Sequence, residues 1–178
     1  MRDSSLSASV QAIVAAEIGQ LELAYEYFRE TALIDLRDYA GNTTDGLHLA
    51  SLAGTWLAGV AGFGGMRDHG DMLSFAPRLP GRLSRLQFRL VYRGRRLRVQ
   101  LERDAVCFEL AAGDPLVVLH HGEPLTLQPL VPQSRPYPAI PPAPCASPPP
   151  GRAPGRVGVG RDASEHPGGK SSQITGKR

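Results

Sequence analysis

The sequence has few cysteines, and their positions exclude a disulfide framework. Among its 178 residues only two are cysteines, Cys107 in an apolar strand pattern and Cys145 in a proline-rich segment. Small secreted domains are held together by several bridges, which this pair cannot provide. We therefore predict a reducing, cytoplasmic setting.

The patterns of a signal peptide and a membrane span are also missing. The N-terminal residues show no basic run followed by an apolar run, so no signal peptide is predicted. The longest apolar stretch, residues 47–63, is slightly short for a bilayer and includes His48, Ser51 and Thr55. A helix that is apolar on all sides can equally lie in a large helical core. We favour the buried helix and expect no membrane partner.

Charge of one sign does not dominate the chain, which argues against a nucleic-acid binder. Residues 1–62 contain three basic and eight acidic residues, residues 63–130 ten and seven, and residues 131–178 seven and two. The pI of about 9.1 therefore arises in the middle and the tail. The arginine run RLVYRGRRLR lacks an aromatic platform on the same face, so we interpret it as the solvated face of a hairpin. No nucleic-acid partner is predicted.

Apolar residues at helical spacing predict three helices in the first third of the chain. They are expected at about residues 6–18, at 21–36, and from about 45 to the glycines of GFGG. Short loops make consecutive helices antiparallel, so the first and third should run the same way and begin at the same end. The third helix has almost no polar face and should be enclosed by other helices. In the chain alone it would expose its large apolar side chains, namely Leu49, Leu52, Trp56, Leu57 and Val60.

The hydrophobic period changes to two between residues 72 and 128. This alternation predicts strands with hairpin turns at Arg93-Gly94 and His121-Gly122, and hence a small antiparallel sheet or sandwich. The arginines expected on its solvent face are Arg89, Arg96 and Arg98.

Proline then becomes frequent, with eleven of the sixteen prolines between residues 132 and 167, which predicts an extended strap followed by disorder. The predicted fold class is therefore α then β. It comprises a helical part at residues 1–66, a β-domain at 67–130 and a tail at 131–178.

Several groups that could carry chemistry are set aside. His120 and His121 are adjacent in a strand pattern and should point to opposite faces, so no metal site is predicted. The carboxylates of the second helix occupy an exposed face, and Glu17 lies at the wrong end of the first helix. No general acid is therefore predicted.

Ser4, Ser5 and His48 remain as candidates for an anion site. Backbone N–H groups at a helix N-terminus carry partial positive charge, and hydroxyls beside them can bind an anion. The predicted topology places Ser4 and Ser5 at the start of the first helix and His48 at the start of the third, at one end. The alternative interpretation is two capping serines and a histidine packed in a helical core.

Longer segments resemble a known enzyme family. RDSSLSASVQAIVAAEIG, AYEYFRETALIDLRD, NTTDGLHLASLAGTW and GFGGMRD, in this order, are similar to the closing part of the catalytic domain of glycoside hydrolase family 65. LSFAPRLPGRLSRLQFRLVYRGRRLRV is similar to the C-terminal β-domain of that family. The resemblance covers roughly residues 2–142. It implies an N-terminal β-sandwich, a toroid of six helix pairs and a C-terminal β-domain in the family architecture.

The resemblance also implies a reaction. The family consists largely of inverting phosphorylases of maltose, trehalose and kojibiose, with some hydrolases. A glutamate protonates the leaving sugar oxygen while phosphate attacks the anomeric carbon from the opposite face. In the family, that glutamate and a lysine-glutamine pair near the phosphate lie upstream of the residues present here, so no catalytic residue is assigned.

The phosphate end of the site carries over to this sequence. The paired serines of the family motif match Ser4 and Ser5, and its histidine matches His48, with Leu49 in place of the usual isoleucine. Arg2 stands where family members often have histidine. The resemblance implies phosphate as a co-substrate, no cofactor and no metal.

The expected function is that of a fragment of an enzyme that cleaves α-glucosidic disaccharides by inverting phosphorolysis. On this resemblance Met1 falls inside a catalytic domain, and the chain is expected to be inactive alone. The alternatives are a fragment of a trehalose-type hydrolase, a truncated non-catalytic product and, less favoured, a basic nucleic-acid binder. The expected partners are the disaccharide and phosphate, and a homodimer is the assembly common in the family.

Overall fold

The structure is a computed structural model that describes residues 6–39, 41–139 and 153–154. In this part of the chain, helices are followed by β-strands, as predicted. The helical elements are α1 (Ser7–Glu17), α2 (Leu21–Ala32), a 3-10 turn (Thr43–Asp45), α3 (Leu49–Leu57) and a π-helical turn (Ala58–Phe63) that continues α3. None of the described helices is long and apolar enough to span a bilayer.

Helix α3 begins later than predicted. The sequence pattern placed its start near Asp45, but that residue ends a 3-10 turn, and regular α-helix starts at Leu49. Gly46 has a φ of +135°, which interrupts any helix at that point. The backbone N–H of His48 is bonded to the side chain of Asp35 at 3.0 Å, so the chain is held in a separate turn until α3 begins.

Small residues allow the helices to pack closely, and the contacts between them show in which direction each helix runs. A Cβ placed on Gly54 would lie 2.6 Å from Ser9 Oγ, and one on Gly62 would lie 3.4 Å from Ile13 Cα. Later residues of the α3 run therefore meet later residues of α1, so these helices run the same way. Helix α2 runs in the opposite direction, since Ala24 clusters with Ala15 and Ala16 and Tyr27 clusters with Ala12. The predicted up-down-up arrangement is confirmed.

The exposure predicted for α3 is correct at four positions and wrong at one. Leu49, Leu52, Trp56 and Leu57 are exposed in this chain, whereas Val60 is buried. Val60 belongs to the π-helical turn, which carries it into the main core beneath the sheets.

Seven strands form two sheets in the described part of the chain. One sheet has the order β2-β3-β4-β7 and is antiparallel throughout, while the other has the order β1-β5-β6. Only the two-residue strand β1 departs from the prediction, because it pairs with β5 in parallel. The strands are β1 (Ser74–Phe75), β2 (Leu86–Tyr92), β3 (Arg95–Leu101), β4 (Ala105–Ala112), β5 (Leu116–His120), β6 (Glu123–Leu127) and β7 (Gln133–Pro136).

Both predicted hairpin turns are present. Arg93 and Gly94 have φ values of +47° and +77°, and His121 and Gly122 have +49° and +87°. Positive φ at both central residues is the type I′ geometry, which matches the twist of the flanking strands. Glycine at the second position lowers the strain of this conformation.

The two sheets share one hydrophobic core, and the predicted arginine face points to solvent. Arg89 and Arg96 are exposed, and Arg98 pairs with Glu109 across β3 and β4. The fully buried large side chains of this core include Leu73, Phe75, Leu97, Val99, Leu101, Val106, Phe108, Leu110, Val118 and Leu127.

Arg67 and Arg78 connect the sheet region to the helices, because their side chains bind the C-terminal end of α1. Arg78 Nη1 donates to the carbonyl oxygens of Ala16 at 3.3 Å and Glu17 at 2.7 Å. Arg67 Nη2 lies 3.2 Å from the Glu17 carboxylate. The Arg78 guanidinium thus donates to carbonyl groups of the last turn of α1, where a helix C-terminus favours positive charge. Beyond the sheets, the predicted strap begins as strand β7, which pairs with β4, and the predicted disordered segment lies outside the described residues except for residues 153–154.

Candidate functional site

The candidate site is built around His48, the residue immediately before α3. The His48 carbonyl oxygen accepts the first helical hydrogen bonds, from the N–H groups of Ser51 at 2.9 Å and Leu52 at 3.1 Å. The imidazole therefore stands at the N-terminal end of α3. This end of a helix favours negative charge, because its backbone N–H groups point outward.

Asp35 fixes the position of His48. It follows α2 directly after the buried Ile34, and its side chain is only 8 % exposed. One carboxylate oxygen accepts the backbone N–H of His48 at 3.0 Å, and the other lies 2.5 Å from His48 Nδ1. The ring and the backbone of His48 are thus both held by one carboxylate.

A second aspartate organises the same connection between α2 and α3. Asp38, at a φ of +45°, accepts the backbone N–H of Thr43 at 3.0 Å, and Thr43 Oγ1 lies 2.5 Å from the same oxygen. Asp38 thereby closes the loop, and Asp35 secures its end at His48. Two aspartates three residues apart have different partners and different roles.

Hydrogen bonds keep both aspartates ionised. The side-chain hydrogen bond with His48 lowers the pKa of Asp35, and the side-chain hydrogen bond from Thr43 lowers the pKa of Asp38. An ionised carboxylate can only accept hydrogen bonds.

The other ring nitrogen of His48 is open. The side chain is 19 % exposed, and Nε2 has no hydrogen-bond partner among the described residues. An imidazole nitrogen in this situation can accept a hydrogen bond from a ligand or, when the ring is protonated, donate one. Among the described residues, this nitrogen is a group with which a ligand can interact.

Of the three predicted site residues, the structure describes only His48. Ser4 and Ser5 lie outside the described residues. The described part shows that α1 begins at the same end of the helices as α3, because the two helices run the same way. The start of α1 and the imidazole are therefore at one end of the layer, as the predicted topology requires.

Asp35 was missed by the sequence reasoning. It lies thirteen residues before His48, and the pattern offers no reason to choose it over Asp38 or the glutamates of α2. The sequence feature that could have indicated Asp35 is its position directly beside the buried Ile34, because a carboxylate near the core needs a partner.

The prediction for the adjacent histidines is wrong in its geometry. The rings of His120 and His121 are in edge-to-face contact, with centroids 4.7 Å apart, because His121 lies in the hairpin turn and not in the strand. Nε2 of each ring is buried and has no partner in the described part of the chain. Burial lowers the pKa of His120 to about 4 and also lowers that of His121. The described residues contain no group of three or more metal-ligating side chains.

Comparison with family models identifies both parts of the chain. The model described as the glycosyl hydrolase family 65 central catalytic domain matches residues 1–57. The model described as the glycosyl hydrolase family 65 C-terminal domain matches residues 66–127.

Individual relatives agree with these matches. An uncharacterized glycosyl hydrolase from Mycobacterium leprae is 50 % identical over 163 residues, which are 90 % of this chain and 20 % of that protein. An alpha,alpha-trehalose phosphorylase from Thermoanaerobacter brockii is 45 % identical over 126 residues, 71 % of this chain and 16 % of that protein. The chain thus spans about a fifth of the length of the curated relatives it matches.

A solved structure is similar in fold as well as in sequence. It comes from the human microbiome and carries a provisional assignment as a kojibiose phosphorylase. The match has a TM-score of 0.73 and 28 % sequence identity, and it covers 79 % of this chain and 20 % of the other. From the two family models in sequence order, the relatives and this fold, we conclude that the chain belongs to glycosyl hydrolase family 65.

Proposed function

We propose that this chain supplies the phosphate end of the active site in an enzyme that cleaves α-glucosidic disaccharides by inverting phosphorolysis. The observation that carries the proposal is the placement of His48. Its ring stands at the start of α3 and is held by Asp35 through Nδ1, and Nε2 has no partner in the described part of the chain. Membership of a family whose relatives include trehalose, maltose and kojibiose phosphorylases supports the same reaction.

The proposed chemistry divides the site between two faces of the sugar. His48, Ser4 and Ser5 bind phosphate on one face, and a glutamate general acid protonates the leaving oxygen on the other. Phosphate then attacks the anomeric carbon with inversion, so an α-glucoside yields β-glucose 1-phosphate. Phosphate is a co-substrate in this scheme, and no cofactor or metal takes part.

The chain is proposed to be inactive alone. The resemblance places the general acid upstream of the matched residues, and an inverting reaction needs groups on both faces of the sugar. Helices α1–α3 are proposed to belong to an α/α toroid (residues 1–66), followed by a C-terminal β-domain (67–130) and a tail (131–178). The setting is proposed to be cytoplasmic and the assembly a homodimer, with no membrane or nucleic-acid partner.

Hydrolysis is the second candidate. Relatives with 50–51 % identity are uncharacterized glycosyl hydrolases, whereas the relatives named as phosphorylases are 36–45 % identical. In a hydrolase, water would occupy the position of the attacking phosphate oxygen. Dependence of the product on phosphate separates the two reactions.

A chimera tests the proposal. The matching C-terminal part of the trehalose phosphorylase from T. brockii is replaced by this chain, and the chimera is incubated with phosphate and maltose, trehalose or kojibiose. We expect phosphate-dependent release of β-glucose 1-phosphate, at least about 100-fold slower after His48→Ala because an oriented contact to the attacking group is lost. His69→Ala, at an exposed histidine in the segment before β1, is the matched control and should retain the rate.

Two results would contradict the proposal. Glucose release at the same rate without phosphate would show hydrolysis. Steady release of glucose 1-phosphate by the 178-residue chain alone would show that the general acid is present after all.

A further inference from the structure

We propose that Asp35 determines which nitrogen of His48 carries the hydrogen, and thereby selects protonated oxyanions such as hydrogen phosphate over sulfate. The selectivity rests on the proposed phosphate site, whereas the effect of Asp35 on the ring does not. The inference starts from one geometric fact. Both oxygens of a nearly buried carboxylate are committed to His48, one to its backbone N–H and one to Nδ1.

An ionised carboxylate has no hydrogen to donate, so the hydrogen in the 2.5 Å contact must belong to Nδ1. A neutral imidazole carries only one hydrogen on its two nitrogens. With that hydrogen on Nδ1, Nε2 is left with a lone pair. The open end of His48 is therefore a hydrogen-bond acceptor when the ring is neutral.

An acceptor discriminates between oxyanions. Hydrogen phosphate has a P–OH group that can donate to Nε2, whereas sulfate near neutral pH offers only oxygen lone pairs, which Nε2 would repel. Leaving a polar group without a partner costs more than the bond itself contributes. Asp35 does not contact the anion in this scheme and acts as a positioning residue through His48.

Asparagine at position 35 should reverse the arrangement. Its side chain has the shape of aspartate, but it offers one oxygen and one NH₂ group. If the oxygen keeps the backbone N–H of His48, the NH₂ group faces Nδ1 and donates to it. The ring hydrogen must then move to Nε2. This nitrogen becomes a donor and can donate to an oxygen atom of either anion.

The first measurement is the tautomer of His48 in the 178-residue chain. Two-bond and three-bond ¹H–¹⁵N correlations of ¹⁵N-histidine-labelled protein report which nitrogen is protonated, and His48→Ala assigns the signals. The pH is chosen from the ¹⁵N shifts so that the ring is neutral. We expect the Nδ1–H form in the unaltered chain and in Asp35→Glu, and the Nε2–H form in Asp35→Asn.

Asp38→Asn is the matched control, since that aspartate lies in the same loop but binds Thr43. It should leave the tautomer unchanged. Amide signals from α1–α3 show whether the helical part of each variant is folded, and Asp35→Glu tests the charge if Asp35→Asn disturbs the loop. An Nε2–H ring in the unaltered chain, or an unchanged ring in folded Asp35→Asn, would overturn the inference.

The second measurement is anion binding. The chain is titrated with phosphate and with sulfate at constant ionic strength, and binding is monitored through the His48 signals. We expect a preference for phosphate of about tenfold or more, which falls to near unity in Asp35→Asn. Equal binding of both anions by the unaltered chain would overturn the selectivity. Absence of any shift with phosphate would overturn the phosphate site itself, whereas the tautomer measurement would still decide the role of Asp35.

Discussion

The helices and the sheets of this chain solve the problem of burial in opposite ways. In the sheets, the large apolar side chains are inside: Phe75, Phe108 and Leu97 are almost completely buried. In α1 and α3, the buried side chains are small and large side chains are exposed, whereas α2 buries Tyr27 and the π-helical turn buries Val60 and Phe63. The buried alanines of α1 and α2 are Ala8, Ala12, Ala15, Ala16 and Ala24, and the exposed large residues within or directly next to α1 and α3 are Leu6, Val10, Val14, Ile18, Leu49, Leu52, Trp56 and Leu57.

This difference shows which part of the molecule can stabilise itself. Burial of apolar area is the main favourable term in folding, and large side chains contribute most of it. The sheets have a complete core, whereas the helices are packed closely through small residues and leave an apolar face in water. Such a face supports the proposal that α1–α3 form part of a larger helical toroid, because neighbouring helices would cover it.

The strongest test of this contrast compares two aromatic residues. Phe108→Ala removes a fully buried ring that contacts Phe75 and His120, and should cost about 3–5 kcal/mol of the free energy of unfolding. Trp56→Ala removes a larger ring that is 50 % exposed on α3, and should cost about 1 kcal/mol or less. Urea unfolding followed by far-UV circular dichroism measures both. Equal costs would mean that the exposed face of α3 is packed in the isolated chain.

A second test addresses the close packing of the helices. Gly54→Ala would place a Cβ 2.6 Å from Ser9 Oγ, so α1 and α3 must move apart, at a cost of about 1–3 kcal/mol. Gly59→Ala is the matched control, because its Cβ would meet nothing closer than Leu86 Cδ1 at 4.0 Å. The control should be neutral or stabilising by up to about 1 kcal/mol. Thermal unfolding measures the stability of both variants relative to the unaltered chain. An undiminished stability of Gly54→Ala would contradict the close contact between α1 and α3.

The smallest expected effect concerns pH and lies in the sheets. His120 has an unfolded pKa of 6.5 and a folded pKa of about 4, lowered first by burial and then by His121 and Arg135. Between these values the unfolded chain binds a proton that the folded chain does not, so stability falls as pH decreases from 6.5 to 4. The full shift corresponds to about 3 kcal/mol, and solvent screening of the charged ring reduces the expected loss to about 1–2 kcal/mol, to which His121 adds in the same direction.

The measurement is a series of urea unfolding curves between pH 7 and pH 4. His120→Leu keeps an apolar side chain against Phe108 and should flatten the pH dependence. If the variant has the same slope as the unaltered chain, His120 is not the group responsible. Asp35 acts in a lower window, because its lowered pKa makes its contribution fade only as the pH falls below the unfolded value of 3.8.

The sequence by itself determined the order of elements, the turns and the family. The change from helical spacing to alternation predicts helices followed by strands, and glycine after Arg93 and His121 predicts the two hairpin turns, because these features depend on a few neighbouring residues. The direction of the predicted helices and the family motif both predict His48 as a residue of the anion site. Each of these inferences uses either local backbone preference or a linear motif.

Only the tertiary structure decided which side chains meet. Asp35 holds His48 although it lies thirteen positions earlier in the chain, Val60 turns from the helices into the sheet core, and His121 folds back onto His120. A hydrophobic period shows that a residue is buried or exposed, but it does not specify the neighbour. Contacts between distant residues depend on the path of the connecting loop and on the close approach of α1 and α3, and those are properties of the whole packed chain.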